Sequence, residues 1–399
     1  MTRHAIVIGA GLAGSSAAER LAARGWTIDV LDRAASAAQG ASGNLAGVFR
    51  PLPSLDDNRL AQLTYAAFTY ACAHFSALQA AGLPLRWAQT GVLHLARDEE
   101  HAVRQRQVVE QRGNDAQLQF LDRQAASRLA DWPLVIGGWW FPQGGWVNPP
   151  SLCRANLARH AAAIRCHFNC EVARIDHDGQ SWQAIGADGQ IAASAPVLIV
   201  ANANEARRLQ PSGHLPLRSA RGQVSHLAAV TDSAPRIVVC RGGYVTPAID
   251  GLRCAGATFT IDTPSADEQP SLAEHLENLA RLEAILPDFA SDCSVHDLGG
   301  RVGFRPMSPD RLPMIGAVAD TAAVNSTRPA PSLASLPRLP GLFVLNGFGA
   351  RGLVWSALAG ELLACRIAGE QPPLPDKLLA ALDPGRFLLR RRQPTSARV

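Results

Sequence analysis

Lysine and long apolar runs are nearly missing from this sequence of 399 residues. Lys377 is the one lysine, so the basic side chains are almost all arginines, and they form no continuous cationic block at a formal net charge of +4. The composition therefore permits nucleic-acid binding without requiring it. No uninterrupted apolar stretch approaches the roughly 18 to 20 residues that span a bilayer, so we predict no integral membrane segment.

Cysteines at short paired spacings are also absent. The eight cysteines are scattered along the chain, which excludes a small disulfide scaffold and favours reduced thiols in the cytoplasm. Cys166, His167 and Cys170 stand together, but "IRCHFNCEVARI" has the pattern of one strand leading into another, and no second cluster completes four ligands. We therefore predict no metal site.

What the sequence does have is a large apolar fraction. Hydrophobic residues make up 47% of the chain and charged residues only 18%, and a chain of this length can bury a large core. We expect two domains.

The first 32 residues carry a nucleotide-binding pattern. "HAIVIGAGLAG" is a short β-branched strand that ends in glycines, "SSAAERLAARG" has helical composition, and "WTIDVLDR" is a second strand. Gly9, Gly11 and Gly14 have the GxGxxG spacing, which allows a tight turn, close approach of backbone amides to a pyrophosphate, and close helix packing. Asp32 ends the second strand, where an acid accepts hydrogen bonds from ribose hydroxyls. This unit predicts a bound dinucleotide but does not separate NAD from FAD.

The same segment also has the outline of an export signal, because Arg3 and His4 precede small apolar residues. An export signal needs neither the second strand nor the acid at its end. We therefore interpret the segment as part of the fold.

The rest of the sequence indicates which segments complete the nucleotide-binding domain and which form a second sheet. Strand-like runs recur at short spacing between residues 217 and 259, which indicates an antiparallel sheet. The apolar strand "APVLIVANANEA" is expected to return to the nucleotide-binding sheet, and "GLFVLNGFGARGLVWSALAGELLACRIAG" gives a strand, a glycine-rich turn and a long helix. We predict an α/β fold in which a Rossmann-type domain contains an inserted antiparallel-sheet substrate domain.

These ordered segments resemble the D-amino-acid oxidase-like family of FAD-dependent amine oxidoreductases. The similarity includes the N-terminal unit, "ASGNLAG", "GGWVNPPSLCRA", "GFRPMSPDRLPMIG" and "NGFGARGL". It implies FAD as the cofactor and oxidation of a CH–NH donor. We accordingly assign residues 1–82, 143–213 and 300–370 to a discontinuous FAD-binding domain, residues 83–142 and 214–299 to a substrate domain, and residues 371–399 to a C-terminal tail.

The resemblance also implies which residues form the site. Arg305 matches the family arginine that binds the substrate carboxylate, Tyr244 matches a tyrosine beside it, and Arg351 is expected to face the flavin or the substrate. Two alternatives stay open: a buried ion pair between Arg305 and Asp310, and a core position for Tyr244. Besides the three glycines and Asp32, the expected cofactor contacts are Arg33, Ser42, Asn44, Leu45, Gly47, Val172, Gly349, Ala350, Gly352 and Leu353.

Within the family, "GASGNLAG", "RGQVSH" and "RPMSPDRLPMIGAV" resemble the flavin-dependent half of bifunctional enzymes that modify the wobble uridine of tRNA. This similarity implies a tRNA substrate, from which the carboxymethyl group of 5-carboxymethylaminomethyl-2-thiouridine is removed. In those enzymes a methyltransferase domain precedes the flavin domain, whereas this chain begins close to its first strand. A free-standing enzyme or a separate methyltransferase partner is therefore expected.

Contacts with tRNA are predicted at two groups of residues. Arg50, Arg218, Arg221 and the "RRR" of the tail are expected to contact phosphates, and the aromatics Trp139, Trp140, Phe141 and Trp146 either stack an unpaired base or pack in the core. Two other functions stay open: an FAD oxidase or dehydrogenase of a free small amino acid (glycine, sarcosine or a D-amino acid), and a non-catalytic flavin-bound assembly protein. A free amino acid fits an enclosed pocket, whereas an anticodon base needs a wide, cationic mouth.

Overall fold

The structure is a computed structural model that describes residues 3–113, 116–230, 232–262, 268–326 and 332–390. In these ranges the strands are β1 (His4–Ile8), β2 (Thr27–Leu31), β3 (Gly47–Phe49), β4 (Trp87–Ala88), β5 (Val92–Leu95), β6 (Gln119–Leu121), β7 (Gly138–Phe141), β8 (Gly145–Val147), β9 (Ile164–His167), β10 (Val172–His177), β11 (Trp182–Gly186), β12 (Ile191–Ala195), β13 (Val197–Val200), β14 (Arg218–Ala228), β15 (Val238–Cys240), β16 (Tyr244–Val245), β17 (Leu252–Gly256), β18 (Thr260–Ile261), β19 (Gly299–Met307), β20 (Met314–Ala319) and β21 (Arg338–Asn346).

The helices are α1 (Leu12–Ala22), α2 (Arg59–Ala80), α3 (Glu99–Arg112), α4 (Arg123–Ala130), α5 (Pro149–Arg159), α6 (Leu272–Ile285), α7 (Thr321–Ser326), α8 (Gly352–Ala368), α9 (Asp376–Leu382) and α10 (Arg386–Arg390). Short 3₁₀ helices lie at Ala203–Arg207, Ser212–His214, Val295–Asp297 and Gly349–Arg351.

A six-stranded sheet forms the centre of the nucleotide-binding part. Its order is β20-β21-β13-β1-β2-β9, and its strands are parallel except for β20, which is antiparallel to β21. The strand β13 pairs with β1, which confirms the predicted return of "APVLIV" to this sheet. Because layers cover both faces of the sheet, β1 is an unbroken apolar run that is buried from Ala5 to Ile8.

Different layers cover the two faces of this sheet. Helices α1, α2, α5 and α8 contribute to one large core on the first face. There α1 and α8 pack closely because Gly360 has no side chain: an added Cβ would lie 2.8 Å from the backbone of Ser16. On the second face Ile175 and Trp182 of the antiparallel sheet β10-β11-β12 pack against Ile6 and Val200.

A nine-stranded sheet forms the other half of the molecule. Its path is β18-β14-β17-β16-β15-β5-β7-β6, and β19 pairs antiparallel with β14 from Arg218 to His226. The antiparallel sheet predicted for residues 217–259 is confirmed by these pairings. The pairing of β14 with β19 also places residues 299–307 in this sheet, whereas the sequence-based division assigned 300–307 to the FAD-binding domain. The division into domains stays a prediction.

The start of the predicted tail is folded. Leu378 and Leu382 of α9 are buried, and the buried Arg386 of α10 donates two hydrogen bonds to Asp310, at 2.9 Å to Oδ2 and 3.0 Å to Oδ1. Residues from 391 onward, which include two arginines of "RRR", lie outside the described residues.

In the described ranges no helix is long and apolar enough to cross a membrane, and no group of three His, Cys, Asp or Glu side chains is arranged to hold a metal. The eight cysteines form no disulfide. His167, which the sequence placed near two cysteines, lies with its Nε2 2.8 Å from Asp29 Oδ1.

Candidate active site

A cavity of about 1310 Å³ lies between the two large sheets. On one side it reaches the carboxyl ends of β1, β13 and β21, where Gly9, Ala201 and Gly347 line it, and on the other side it is bounded by Tyr244 and Arg305. Ligands of open α/β sheets bind at this edge. Since small-molecule pockets are roughly 300 to 1,000 Å³, the cavity has room for a dinucleotide and a second ligand.

The turn between β1 and α1 brings backbone amides to the cavity. Gly9 has a φ of +107°, and a Cβ there would lie 2.7 Å from the carbonyl oxygen of Ala201. Gly14 packs under the turn, where a Cβ would collide with the Gly9 carbonyl. The Leu12 amide donates to Ser42 Oγ at 3.1 Å, so the first turn of α1 and the following loop meet at one point. The resulting glycine cradle fits a pyrophosphate, and larger side chains would fill it.

The end of β2 forms the next part of the cavity wall. The Asp32 carboxylate accepts hydrogen bonds from the amides of Ala10 (2.6 Å) and Ala34 (2.8 Å). These contacts hold the carboxylate at the cavity edge. Arg33, its neighbour, is exposed and lies 3.9 Å from Glu205.

Arg301 of β19 holds the loop that carries "ASGNLAG". Its guanidinium donates to the carbonyls of Gln39 (2.7 Å) and Gly40 and to Asn44 Oδ1 (3.2 Å). The sequence analysis did not identify this residue. A signal was present, because Arg301 lies four residues before Arg305, and alternating side chains of a strand place both on one face.

The last glycine turn lies beside the first, since a Cβ on Gly352 would lie 2.9 Å from Leu12 Cδ1. Gly347 and Gly349 have φ values of +77° and +55°, which glycine adopts readily. Arg351 follows at the start of α8 and lines the cavity. A Cβ on Gly47 would lie 2.6 Å from Leu353 Cδ1, so the turn and the loop that carries "ASGNLAG" are in close contact.

Arg305 is half-buried and has no carboxylate partner among the described residues. Its Nη1 has no hydrogen-bond partner among the described residues, and Asp310, the alternative partner, pairs with Arg386. Burial lowers the pKa of Arg305, an effect that Tyr244 partly counters. Burial also raises the pKa of Tyr244, so its hydroxyl stays protonated and available as a donor. The two side chains present N–H and O–H donors that an anion can accept.

Most of the predicted site residues share this one cavity. Gly14 does not line it, and neither does Leu45, whose carbonyl accepts a hydrogen bond from Asn148 Nδ2 at 2.6 Å. The predicted residues that line the cavity are Gly9, Gly11, Asp32, Arg33, Ser42, Asn44, Gly47, Val172, Tyr244, Arg305, Gly349, Ala350, Arg351, Gly352 and Leu353. Their individual roles toward a ligand stay predictions.

The aromatics proposed to stack a base mostly pack inside the protein. Trp139 is 8% exposed and Phe141 is 1% exposed, while Trp140 and Trp146 are half-buried against apolar clusters. Among the described residues, Phe259 is the aromatic that is exposed, at 44%, and it lines the cavity.

Two of the arginines expected to contact phosphates have acidic partners within the protein. Arg218 Nε lies 2.7 Å from Asp262 Oδ2, and Arg221, which is buried, pairs with Glu274.

Comparison with known proteins places this fold and cavity in a family. The chain matches the family model described as FAD dependent oxidoreductase over residues 4–366. It is 57% identical over 391 residues to the tRNA 5-methylaminomethyl-2-thiouridine biosynthesis bifunctional protein MnmC of Aromatoleum aromaticum, a match that covers 97% of this chain and 60% of that protein. The chain thus spans about three fifths of the length of the curated relatives it matches.

Solved structures show the same architecture. Glycine oxidase from Geobacillus kaustophilus has a TM-score of 0.77 and 21% identity, with 96% of this chain and 99% of that chain covered. Iminodiacetate oxidase from Chelativorans sp. has a TM-score of 0.73 and 25% identity, with 93% and 97% covered. The predicted fold class is confirmed.

Fold and cavity together define a flavin-dependent oxidoreductase. This chain belongs to the FAD dependent oxidoreductase family, which confirms FAD over NAD. The glycine cradle and the Asp32 carboxylate fit the pyrophosphate and ribose of this cofactor.

Proposed function

We propose that this protein removes the carboxymethyl group from 5-carboxymethylaminomethyl-2-thiouridine at the wobble position of tRNA, leaving 5-aminomethyl-2-thiouridine and glyoxylate. The observation that carries the proposal is the 57% identity over 97% of the chain to a protein named for the biosynthesis of 5-methylaminomethyl-2-thiouridine in tRNA. Because the match covers 60% of that protein, the proposal concerns the flavin-dependent step alone.

The proposed step oxidises the methylene carbon between the amine nitrogen and the carboxylate. FAD, when bound, supplies the acceptor for the hydride that leaves this carbon. The C–N bond becomes C=N, which leaves a protonated imine on the substrate. One water molecule then hydrolyses the imine to the primary amine and glyoxylate, with release of a proton.

Arg305 and Tyr244 orient the reacting carbon in this proposal. The unpartnered Nη1 of Arg305 and the protonated hydroxyl of Tyr244 donate hydrogen bonds to the two carboxylate oxygens. Charge-assisted bonds of this kind are about twice as strong as neutral ones. They fix the adjacent methylene, which gives the positioning that hydride transfer requires.

The arginines of the cavity also favour the neutral form of the substrate amine. Hydride departure needs the nitrogen lone pair, which a protonated amine lacks. Arg50, Arg301, Arg305 and Arg351 all line the cavity, and neighbouring positive charge lowers the pKa of an ammonium group. The amine proton is therefore released to solvent more readily in the cavity than in water.

We expect the purified protein to be yellow and its flavin to be bleached anaerobically by tRNA that carries carboxymethylaminomethyluridine, but not by glycine or sarcosine. The flavin absorbance band measures the reaction. Iminodiacetate is an informative third substrate, because it is a secondary amine with the same N-carboxymethyl group and one structural neighbour is an iminodiacetate oxidase.

Faster bleaching by glycine or sarcosine than by the tRNA would contradict the proposal and favour a free amino-acid oxidase. Mass analysis of wobble nucleosides gives an independent test. Cells that lack the protein are expected to accumulate the carboxymethylaminomethyl form, and unchanged nucleosides would count against the proposal.

Phe259 is the residue that we propose to stack the base next to the wobble nucleotide. Its backbone is held firmly, because the Thr258 hydroxyl donates to Glu274 Oε1 (2.6 Å) and accepts from the Gln223 amide (2.8 Å). The next two residues form β18, which pairs with β14. A rigid, exposed aromatic at the cavity edge is a platform for an unpaired base.

Phe259→Ala is expected to raise the KM for a modified anticodon stem-loop by about 5- to 150-fold, since stacking contributes about 1 to 3 kcal/mol per base. The KM for the free modified nucleoside is expected to stay within about twofold, because it has no neighbouring base. Leu276→Ala is the matched control, since Leu276 is 53% exposed on α6 and does not line the cavity. Equal effects of Phe259→Ala on both substrates would contradict the stacking role.

The proposed reaction also implies partners. The primary amine product is the substrate of a methyltransferase, on the same or a separate polypeptide. A tRNA substrate places the reaction in the cytoplasm.

A further inference from the structure

A second group of arginines lies in the cavity apart from Arg305. Arg50 follows β3 and Arg351 is the N-cap residue of α8, and both line the cavity. Neither has a carboxylate partner among the described residues. Arg50 donates to the Pro51 carbonyl at 3.0 Å and lies over the Phe141 ring, 5.2 Å from its centroid. Arg311, which is exposed, lies close enough to lower the pKa of Arg351.

The register of the nine-stranded sheet separates this group from Arg305. Tyr244 pairs with Cys240, and Cys240 pairs with His94, so the three side chains stand in one row on one face. Arg50 interacts with Cys240 and His94, whereas Arg305 interacts with Tyr244. Neighbouring strands are about 4.8 Å apart, so Tyr244 and His94 are on the order of 10 Å apart.

The charges in this group are not compensated. Burial lowers the pKa of Arg351 to about 10, and Arg50 and Arg311 add to the effect. Burial also lowers the pKa of Arg50, although Cys240 partly counters it. His94 supplies no negative charge, and its buried Nδ1 has no partner among the described residues. Half-buried like charges that have no carboxylate partner among the described residues are stabilised when an anion binds between them.

We propose that Arg50 and Arg351, with Arg311 on the outer side, form a second anion site that binds a backbone phosphate of the substrate strand beside the modified nucleotide. This inference rests on the proposed function, because a free amino acid has no phosphate. A modified nucleotide carries its carboxylate at the end of the base substituent and its phosphates on the sugar. Two arginine groups separated along the sheet match two anions at opposite ends of one ligand.

The test compares 5-carboxymethylaminomethyl-2-thiouridine as the free nucleoside and as its 3′,5′-bisphosphate, with anaerobic flavin reduction as the readout. For the unmodified protein we expect the bisphosphate to have a KM at least about tenfold lower, as charge-assisted bonds to phosphate predict. In Arg50→Gln and Arg351→Gln the KM values of the nucleoside and the bisphosphate are expected to differ by no more than about twofold. Their ratio is the quantity that the test measures. A purely structural role, or a role toward the flavin, would change the KM of both substrates alike and leave the ratio intact.

Arg128→Gln is the control, because Arg128 is exposed on α4 and does not line the cavity; it is expected to keep the full ratio. Calorimetry gives the affinities of the protein for uridine 3′,5′-bisphosphate and for uridine. Comparing these two affinities repeats the test without turnover. Binding of the bisphosphate is expected to weaken with added salt, and at least tenfold in both arginine variants.

Three outcomes decide between the two proposals. If the phosphate preference persists in both arginine variants, or if the unmodified protein shows none, the anion site is wrong while the proposed function stands. If neither modified substrate reduces the flavin but glycine does, the proposed function is wrong. In that case loss of uridine bisphosphate binding in both variants supports a phosphate site at these arginines but overturns its assignment to a substrate strand, and unchanged binding overturns the site itself.

Discussion

Arg305→Ala is expected to give a yellow protein whose flavin is reduced at least about 100-fold more slowly by the substrate at low concentration. The variant loses charge-assisted hydrogen bonds worth about 1.5 to 3 kcal/mol each, and about 1.4 kcal/mol corresponds to tenfold. Flavin binding is expected to persist, because the cradle is built by Gly9, Gly14 and Ser42 on other elements. Stopped-flow reduction and the flavin spectrum measure the two properties separately.

Arg305→Lys is the informative companion variant. It keeps the positive charge but lacks the planar fork that meets two carboxylate oxygens, so we expect a rate between those of the unmodified protein and Arg305→Ala. Unchanged reduction kinetics in Arg305→Ala would remove this residue from the site. A colourless Arg305→Ala protein would instead assign it to cofactor binding.

Gly9→Ala is expected to give a protein that folds but loses at least about 100-fold in FAD affinity. A Cβ at this position would lie 2.7 Å from the Ala201 carbonyl oxygen. The alanine would also have to adopt a backbone φ of +107°. To relieve this collision, the turn between β1 and α1 would have to move. We expect the backbone amides of this turn to bind the pyrophosphate at the N-terminus of α1, so their displacement lowers the affinity for FAD. Fluorescence titration of the apoprotein with FAD gives the affinity.

The Gly82→Ala variant distinguishes the effect of a colliding Cβ from the effect of a strained backbone conformation. Gly82 also has a positive φ, +72°, but nothing lies within 4 Å of an added Cβ. This variant is expected to lose stability, by about 1 kcal/mol, while it keeps its FAD. Thermal melts of both variants report folding. Full FAD affinity in Gly9→Ala would contradict the assignment of this turn to the cofactor.

The nucleotide-binding end was predictable from the sequence because its geometry is local. A β-branched run, three glycines at fixed spacing and an acid at the end of the next strand are all within 32 residues of each other. Steric limits on φ and the requirement for close backbone approach act within such a segment whatever surrounds it. Gly9 and Asp32 both line the cavity, and their contacts with a cofactor stay a prediction.

The substrate end was predictable only in part. The resemblance selected Arg305, but the sequence left open an ion pair with Asp310, five residues away. The structure pairs Asp310 with Arg386, which is distant in sequence. Arg301 went unnoticed because its partners, the carbonyls of Gln39 and Gly40, are backbone groups of a remote loop. The spacing from Arg305 indicates the strand face on which Arg301 lies, but no residue type marks such backbone partners in the sequence.

The sequence by itself determined the class of fold and the glycine-rich turn after β1, because these depend on local backbone sterics and on hydrophobic periodicity, whereas the choice of FAD over NAD came from the resemblance to a family. Only the tertiary structure decided which arginines have partners and which remain without a counterion, and that Phe259 rather than the tryptophans is exposed at the cavity. The reason is that burial and charge pairing depend on which strands become neighbours. Here the long pairing of β14 with β19 brings residues that are about eighty positions apart together.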